Sequence, residues 1–353
     1  MHCKIPIVSW GLTTPIGENA PQTALMFRAG VNNFTESPFI DGFGEHITMS
    51  LVSTLPMSLV GPQRMVQLGM EALRQTLRSI PIGEKARVVL ILALPERYSG
   101  DSPQGGLNQQ GELLMQLVRD ELPAPIRSSS IEAYPHGRGG GAFVIHRATE
   151  LFQAKQADYV IVGGIDSYYE WGAIESLLKS DRLLTQDNLD GLMPGEGAAF
   201  LALAPPRIRE SESAHPTIAY VGVGKEPQTV LSEERSSGRG FTEALKEVVT
   251  PLRNNRERTD YWITDLTSEL YGVKEFQILI ARFADVLGTK TLLSTPLREF
   301  GDMGAASLLV FCILAVESWY GGFAPDKTAI CMGGSDSGAR GVILLQGRTQ
   351  WAS

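Results

Sequence analysis

One pattern constrains the fold of this chain more than any other: a helix-and-strand unit occurs twice. Residues 139–150 (GGGAFVIHRATE) open a helix on a glycine cluster, and the strand that follows ends in Gly163-Gly164-Ile165-Asp166-Ser167. Residues 304–317 (GAASLLVFCILAVE) open a second helix on small residues, and its strand ends in Gly333-Gly334-Ser335-Asp336-Ser337. A match of five residues alone arises easily by chance. The shared order of small-residue start, apolar helix, strand and GGxDS is instead the mark of a duplicated unit.

Short runs rich in β-branched residues, 87–93, 157–162, 217–223 and 329–332, read as buried strands alternating with helical patterns. That alternation predicts an α/β protein with parallel strands. Segment 61–73 places Met65, Leu68, Ala72 and Leu73 on one stripe, and 240–249 does the same with Phe241, Leu245 and Val248. Each stripe is a face for packing on a sheet. The polar, proline-flanked stretch 205–216 (PPRIRESESAHP) reads as a linker between an N-terminal half, 1–204, and a C-terminal half, 217–353.

A net charge of −8 and the lack of any run of Lys or Arg argue against nucleic acid as a partner. Three cysteines, widely spaced and without a CxxC pattern, favour neither a disulfide framework nor a zinc site, so the cytoplasm is the expected compartment. The opening MHCKIPIVSWG has no basic stretch leading into an apolar region, so no secretory signal is expected. The longest apolar run, residues 305–316, falls short of the roughly 20 residues that span a bilayer and reads as a buried helix. No membrane, metal or cofactor is expected.

Four stretches resemble the β-ketoacyl synthases (3-oxoacyl-ACP synthases) of the thiolase-like superfamily. Residues 11–17 (GLTTPIG), followed by Phe27-Arg28-Ala29-Gly30, resemble the opening strand, turn and helix of that family. Residues 148–166 resemble the helix after the nucleophile and the next strand, and 190–199 (DGLMPGEGAA) resemble the segment with a buried glutamate, here Glu196. Residues 301–306 (GDMGAA) resemble the turn GH-x-x-GAAG, and Met332-Gly333-Gly334 the glycine-rich loop that closes the site. The resemblance implies a thiolase-like five-layered αβαβα fold with two duplicated halves, a homodimer and an acyl-binding tunnel.

Condensation in that family needs a cysteine thiolate at a helix N-terminus and two histidines that stabilise an enolate. Spacing places Arg138 at the nucleophile position, and an arginine has no nucleophilic form in a protein. The two histidine positions fall on Asp265 and Asp302, where a carboxylate would repel an enolate, and the family's lysine falls near Leu297. Two counts free of alignment agree: no cysteine lies between Lys4 and Phe311, and the 138 residues from 216 to 353 contain no histidine.

These degenerate positions admit two readings. Arg138, Asp265 and Asp302 form an ion network that plugs the former pocket, or Arg138 points to solvent and the aspartates cap helix N-termini. His136, two residues before Arg138, is a candidate base or a structural loop histidine; His146 falls inside a helix as packing or a surface tip. Cys331, beside the glycine-rich loop, is a residual thiol or a small apolar residue at a strand end. Glu196 reads as a structural acid satisfied by backbone donors.

Three functions fit. The first is a pseudoenzyme: a non-catalytic scaffold or partner-binding protein, as in the degenerate halves that pair with active synthases, or an accessory factor of the kind found beside type VI secretion genes. The second is acyl-thioester transfer or hydrolysis with His136 or an aspartate activating water, which would make it an acyltransferase-type enzyme. The third is binding of an acyl chain or acyl carrier protein without turnover. The expected partners are a second copy, a different protein chain, or such a carrier.

Overall fold

The segment 88–93 is wholly apolar, and it forms a strand whose alternate residues feed two different cores. Val88, Leu90 and Leu92 pack with helices on one face, while Val89, Ile91 and Ala93 pack into the centre of the molecule. A strand covered on both sides needs no polar face, which is why its sequence does not alternate. The computed structural model describes residues 2–83, 85–100, 106–127, 129–206 and 215–347.

In chain order the elements up to residue 203 are β1 (His2–Thr13), α1 (Ala20–Arg28), a hairpin of β2 (Phe34–Ile40) and β3 (His46–Ser50), α2 (Gly61–Leu77), β4 (Val88–Ala93), α3 (Gln109–Asp120), β5 (Ser130–Tyr134), α4 (Gly140–Gln153), β6 (Tyr159–Ser167), α5 (Trp171–Lys179) and β7 (Glu196–Leu203). The remainder are β8 (Thr217–Lys225), α6 (Arg239–Asn255), β9 (Thr259–Thr264), α7 (Leu270–Arg282), β10 (Leu287–Ser294), α8 (Leu297–Phe300), α9 (Ser307–Tyr320), β11 (Thr328–Gly334) and β12 (Ala339–Gln346). The strands are ordered β10-β9-β11-β12-β8-β1-β7-β6-β4-β5.

This order repeats. Outward from β1, the neighbours β7, β6, β4 and β5 pair antiparallel, antiparallel, parallel and parallel. Outward from β8, the neighbours β12, β11, β9 and β10 pair in the same sequence. The hairpin β2–β3 and helices α1 and α5 are additions to the first copy. β1 joins the copies, since its start pairs with β8 and its end with β7. Of the stretch 205–216, residues 207–214 lie outside the described residues. Its flanks are tied to β1: Ala204 N–H donates to Pro6 O, and Ile7 N–H to Pro216 O.

Helices α2 and α3 cover one outer face and α6 and α7 the other, while α4 and α9 lie between the two halves of the ten-stranded sheet in the largest core. The result is the five-layered αβαβα arrangement. Helix α9 is apolar on all sides because it is buried on all sides, with only Tyr320 exposed. The glycines of the GGxDS repeat have a packing cause. A Cβ on Gly164 would come within 2.4 Å of Ala305 O, and one on Gly333 within 2.7 Å of Arg138 O, so the strand end of each half lies against the helix start of the other.

Candidate functional site

Each central helix is entered through the same backbone turn. Gly137 and Gly304 have positive φ (54° and 49°), and each begins one turn of 3₁₀ helix, Gly137–Gly139 before α4 and Gly304–Ala306 before α9. Helix α4 therefore starts one residue later than its glycine cluster suggests, and Arg138 sits in the turn. The strand ends of both copies converge here, as Ser335 Oγ accepts the Gly139 N–H at 2.9 Å and Asp166 Oδ2 accepts the Ala305 N–H at 2.9 Å.

Arg138 lies among three carboxylates. Its Nε donates to Gly334 O at 3.0 Å, Nη1 to Asp302 Oδ2 at 3.2 Å and Nη2 to Asp336 Oδ1 at 2.9 Å, and Asp265 Oδ2 stands 3.8 Å from Nε. Asp302 is fully buried; its Oδ1 accepts the Gly304 N–H at 2.8 Å and its Oδ2 the Tyr168 O–H at 3.2 Å. Asp302 thus caps a helix start with one oxygen and faces Arg138 with the other. Asp265 Oδ2 accepts the Gly334 N–H at 2.7 Å.

The network continues through residues that the sequence did not single out for a site. Asp336 Oδ2 accepts from Arg182 Nη1 at 2.5 Å, and Arg182 grips Glu269 through two bonds of 2.7 and 3.1 Å. On the other side Arg97 bonds Asp166 at 2.9 Å and also Glu170. Asp166 and Asp336 are the aspartates of the two GGxDS motifs, so the repeat was the one signal that marked them.

Burial would by itself lower the pKa of Arg138, but Asp302, Asp336, Asp265 and Glu269 outweigh it and hold the guanidinium well above its ordinary value. Asp336 is held below the usual carboxylate range: burial pushes it up, and Arg138 and Arg182 overcome that. Burial pushes Asp265 and Asp166 up despite their arginine partners. Burial is the first cause for both, and the nearby Asp302 carboxylate adds to it in the same direction. Burial, then the neighbouring Asp302, raises Tyr168 well above the normal phenol range, so it donates as a neutral hydroxyl.

Two cavities flank the network, one of about 40 Å³ and one of about 160 Å³. Arg138, Arg182 and Asp336 line both and form the wall between them. The smaller also exposes Thr264 Oγ1, a buried hydroxyl without a protein partner, and is large enough for ordered water. Among the described residues, no group of His, Cys, Asp and Glu is arranged to hold a metal ion.

The other candidate residues lie elsewhere. His136 packs its ring against Phe143 at 4.5 Å and Tyr134 at 6.2 Å and lines neither cavity; burial and then Lys225 lower its pKa. Cys331 is buried in the central core with its side chain on the face of β11 opposite Met332, and burial, with Cys312 beside it, drives its thiol well above the ordinary range. A thiol so placed has neither thiolate character nor access. His146 stands 3.5 Å from Glu150 on the surface of α4. Glu196 differs from expectation in its partners: Arg64 donates twice, at 2.6 and 2.7 Å, and Ser167 Oγ and the Val52 N–H at 2.7 Å each. A carboxylate with no exposure needs a counter-charge as well as donors, and sequence spacing gave no hint of Arg64.

No protein-family model matches this chain, and no curated protein matches it. Solved structures do. The type II polyketide synthase complex AntDE:AntF, an acyl-carrier protein with its ketosynthase bound to the hexaketide, superposes with a TM-score of 0.73 at 15% identity, covering 98% of this chain and 100% of that one. The ketosynthase from module 6 of the bacillaene synthase of Bacillus subtilis 168 gives 0.74 at 15% identity, over 99% and 73%. The ishigamide ketosynthase/chain length factor gives 0.69 at 16% identity, over 97% and 99%. Across its described length the chain has the thiolase-like fold of the ketosynthases.

Proposed function

We propose that this chain, a ketosynthase in fold, is a non-catalytic member of that group that acts in the cytoplasm as a scaffold or partner-binding protein. The observation that carries the reading is the state of Arg138. At the foot of α4, where the resemblance puts a nucleophilic cysteine, a guanidinium is bonded to Asp302, Asp336 and Gly334 O. Each of these groups is committed to a structural contact. Asp302, one of the aspartates offered beside His136 as the base of a hydrolytic alternative, has one oxygen on a backbone N–H and the other on Arg138 and Tyr168. Acyl-thioester transfer or hydrolysis would need one of them released.

For the partner, the reading favours a second copy or a related chain. β5 closes one end of the strand order with five residues in unbroken register against β4, and such an edge is a template for strand addition. β10, at the other end, is interrupted between Leu287 and Leu292 and is a poorer template. An acyl carrier protein and an accessory role beside type VI secretion both rest on resemblance.

The test is incubation with acyl- and malonyl-carrier thioesters while CO₂ release and intact protein mass are followed. Unchanged mass with no CO₂ is expected. Acylation of the chain, turnover of the thioester or decarboxylation would refute the proposal.

A further inference from the structure

Three large apolar side chains stand in solvent on one face of the N-terminal half, outside both cavities beside Arg138. Met57, Val60 and Trp171 are 48%, 46% and 52% exposed. Tyr169 makes them neighbours: its hydroxyl donates to Met57 O at 3.2 Å, and its carbonyl, next in the chain but one to Trp171, accepts the N–H of Gly61 beside Val60 at 3.4 Å. The Phe39 ring on β2 borders the patch, 5.3 Å from the Tyr169 ring and 6.1 Å from that of Trp171. A single surface leucine needs no explanation, but a contiguous apolar patch with a tryptophan half in water has the composition of an interface core.

The surrounding charge selects the occupant. Residues 34–60 carry Glu36, Asp41 and Glu45, and residues 168–178 carry Glu170 and Glu175, with no Lys or Arg in either segment. Glu170 is matched by Arg97 and Glu175 by Lys179, while Glu36, Asp41 and Glu45, on the hairpin that carries Phe39, have no cation among the described residues. A two-fold contact with a second copy would set this acidic rim against itself in a chain of net charge −8. An anionic membrane surface is repelled for the same reason. We infer that this face docks a basic amphipathic segment of a partner protein, its apolar side on Trp171, Met57 and Val60 and its Lys or Arg side chains toward the acidic hairpin. The inference rests on the partner-binding reading and gives it a face other than the β5 edge.

The probe is a fluorescently labelled amphipathic helical peptide of leucine and lysine, with a leucine–glutamate peptide of the same pattern as control. Anisotropy with the full chain at low salt should show saturable binding of the lysine peptide and none of the glutamate peptide. Trp171→Ser should weaken binding by about tenfold or more, the scale of an interface anchor. Should that variant fail to fold, Met57→Ser serves and should weaken binding several-fold. Glu36→Lys combined with Glu45→Lys should weaken it by about tenfold and flatten its salt dependence, whereas Asp120→Lys with Glu121→Lys, the same charge change at the end of α3, should leave it little changed. No saturable binding of the lysine peptide, equal binding of the glutamate peptide, indifference to the apolar substitution, or equal losses from the two charge-reversed pairs would each overturn the inference. Acylation or turnover in the thioester assay would refute the non-catalytic reading alone, so the two failures are distinguishable.

Discussion

Replacing Arg138 with methionine isolates the energetic role of the ion network. Methionine keeps most of the length and removes the charge, so the side chain still fills its space while three carboxylates lose a partner. They lose it unequally. Asp336 keeps the 2.5 Å bond from Arg182, and Asp265 keeps the Gly334 N–H at 2.7 Å. Asp302 is fully buried and is left with the Gly304 N–H and the Tyr168 O–H but no cation. Removing one partner of a buried pair costs about 3–5 kcal/mol, and two surviving donors place this case near the lower end, at about 3 kcal/mol. Urea denaturation should show it as a midpoint lower by roughly 1 M, taking a slope of about 3 kcal/mol per M. Adding Asp302→Asn removes the stranded charge, so the double variant should recover at least half of the loss. The deficit should also depend on pH. Asp265 already has a raised pKa, so its contribution favours the fold at low pH and fades as pH rises through the folded value; without Arg138 that value rises further. The variant should therefore lag the parent more at pH 7 than at pH 4. A single variant within about 0.5 kcal/mol of the parent, or a double variant less stable than the single, would refute the idea that Arg138 is a buried counter-ion.

Two further outcomes follow from the same geometry. Glu196→Gln leaves Arg64 buried with no anion, so a loss of about 3–5 kcal/mol is expected by urea denaturation, and a loss below about 1 kcal/mol would show that the pair is not electrostatically matched. Asp336 has a folded pKa below its unfolded value, so its stabilisation is present above about pH 4 and is lost as pH falls through the depressed value. The stability gap between the parent and Asp336→Asn should accordingly narrow between pH 5 and pH 3 in a denaturation series; a gap constant over that range would contradict the assignment.

What could be read without coordinates was local or repeated. The 88–93 strand, the apolar helix at 307–320 and the stripes on α2 and α6 are legible because burial on one or both faces leaves a period in the sequence. The scarcity of cysteine between Lys4 and Phe311 and of histidine after His215, on which the proposed function leans, was legible because such counts survive any alignment. Helix starts were shifted by one residue at α4 and by three at α9, where a 3₁₀ turn intervenes, since small residues suit both conformations.

The membership of the site was legible only in part: the resemblance brought Arg138, Asp265 and Asp302 together as one of two readings, but not Asp336, Arg182 or Glu269. Arg138 meets Asp302 across 164 residues and Asp336 across 198, and Arg182 meets Glu269 across 87. No period or spacing encodes such pairs, because a charged residue looks the same in sequence whether it faces water or a buried counter-ion. The sequence by itself determined that the chain is a duplicated α/β protein whose C-terminal half carries no histidine. Only the tertiary structure decided that Arg138, Asp302, Asp336, Arg182 and Glu269 interlock. Folding alone brings two copies of one strand end against two copies of one helix start, and the desolvation at that contact obliges each charge to find a partner.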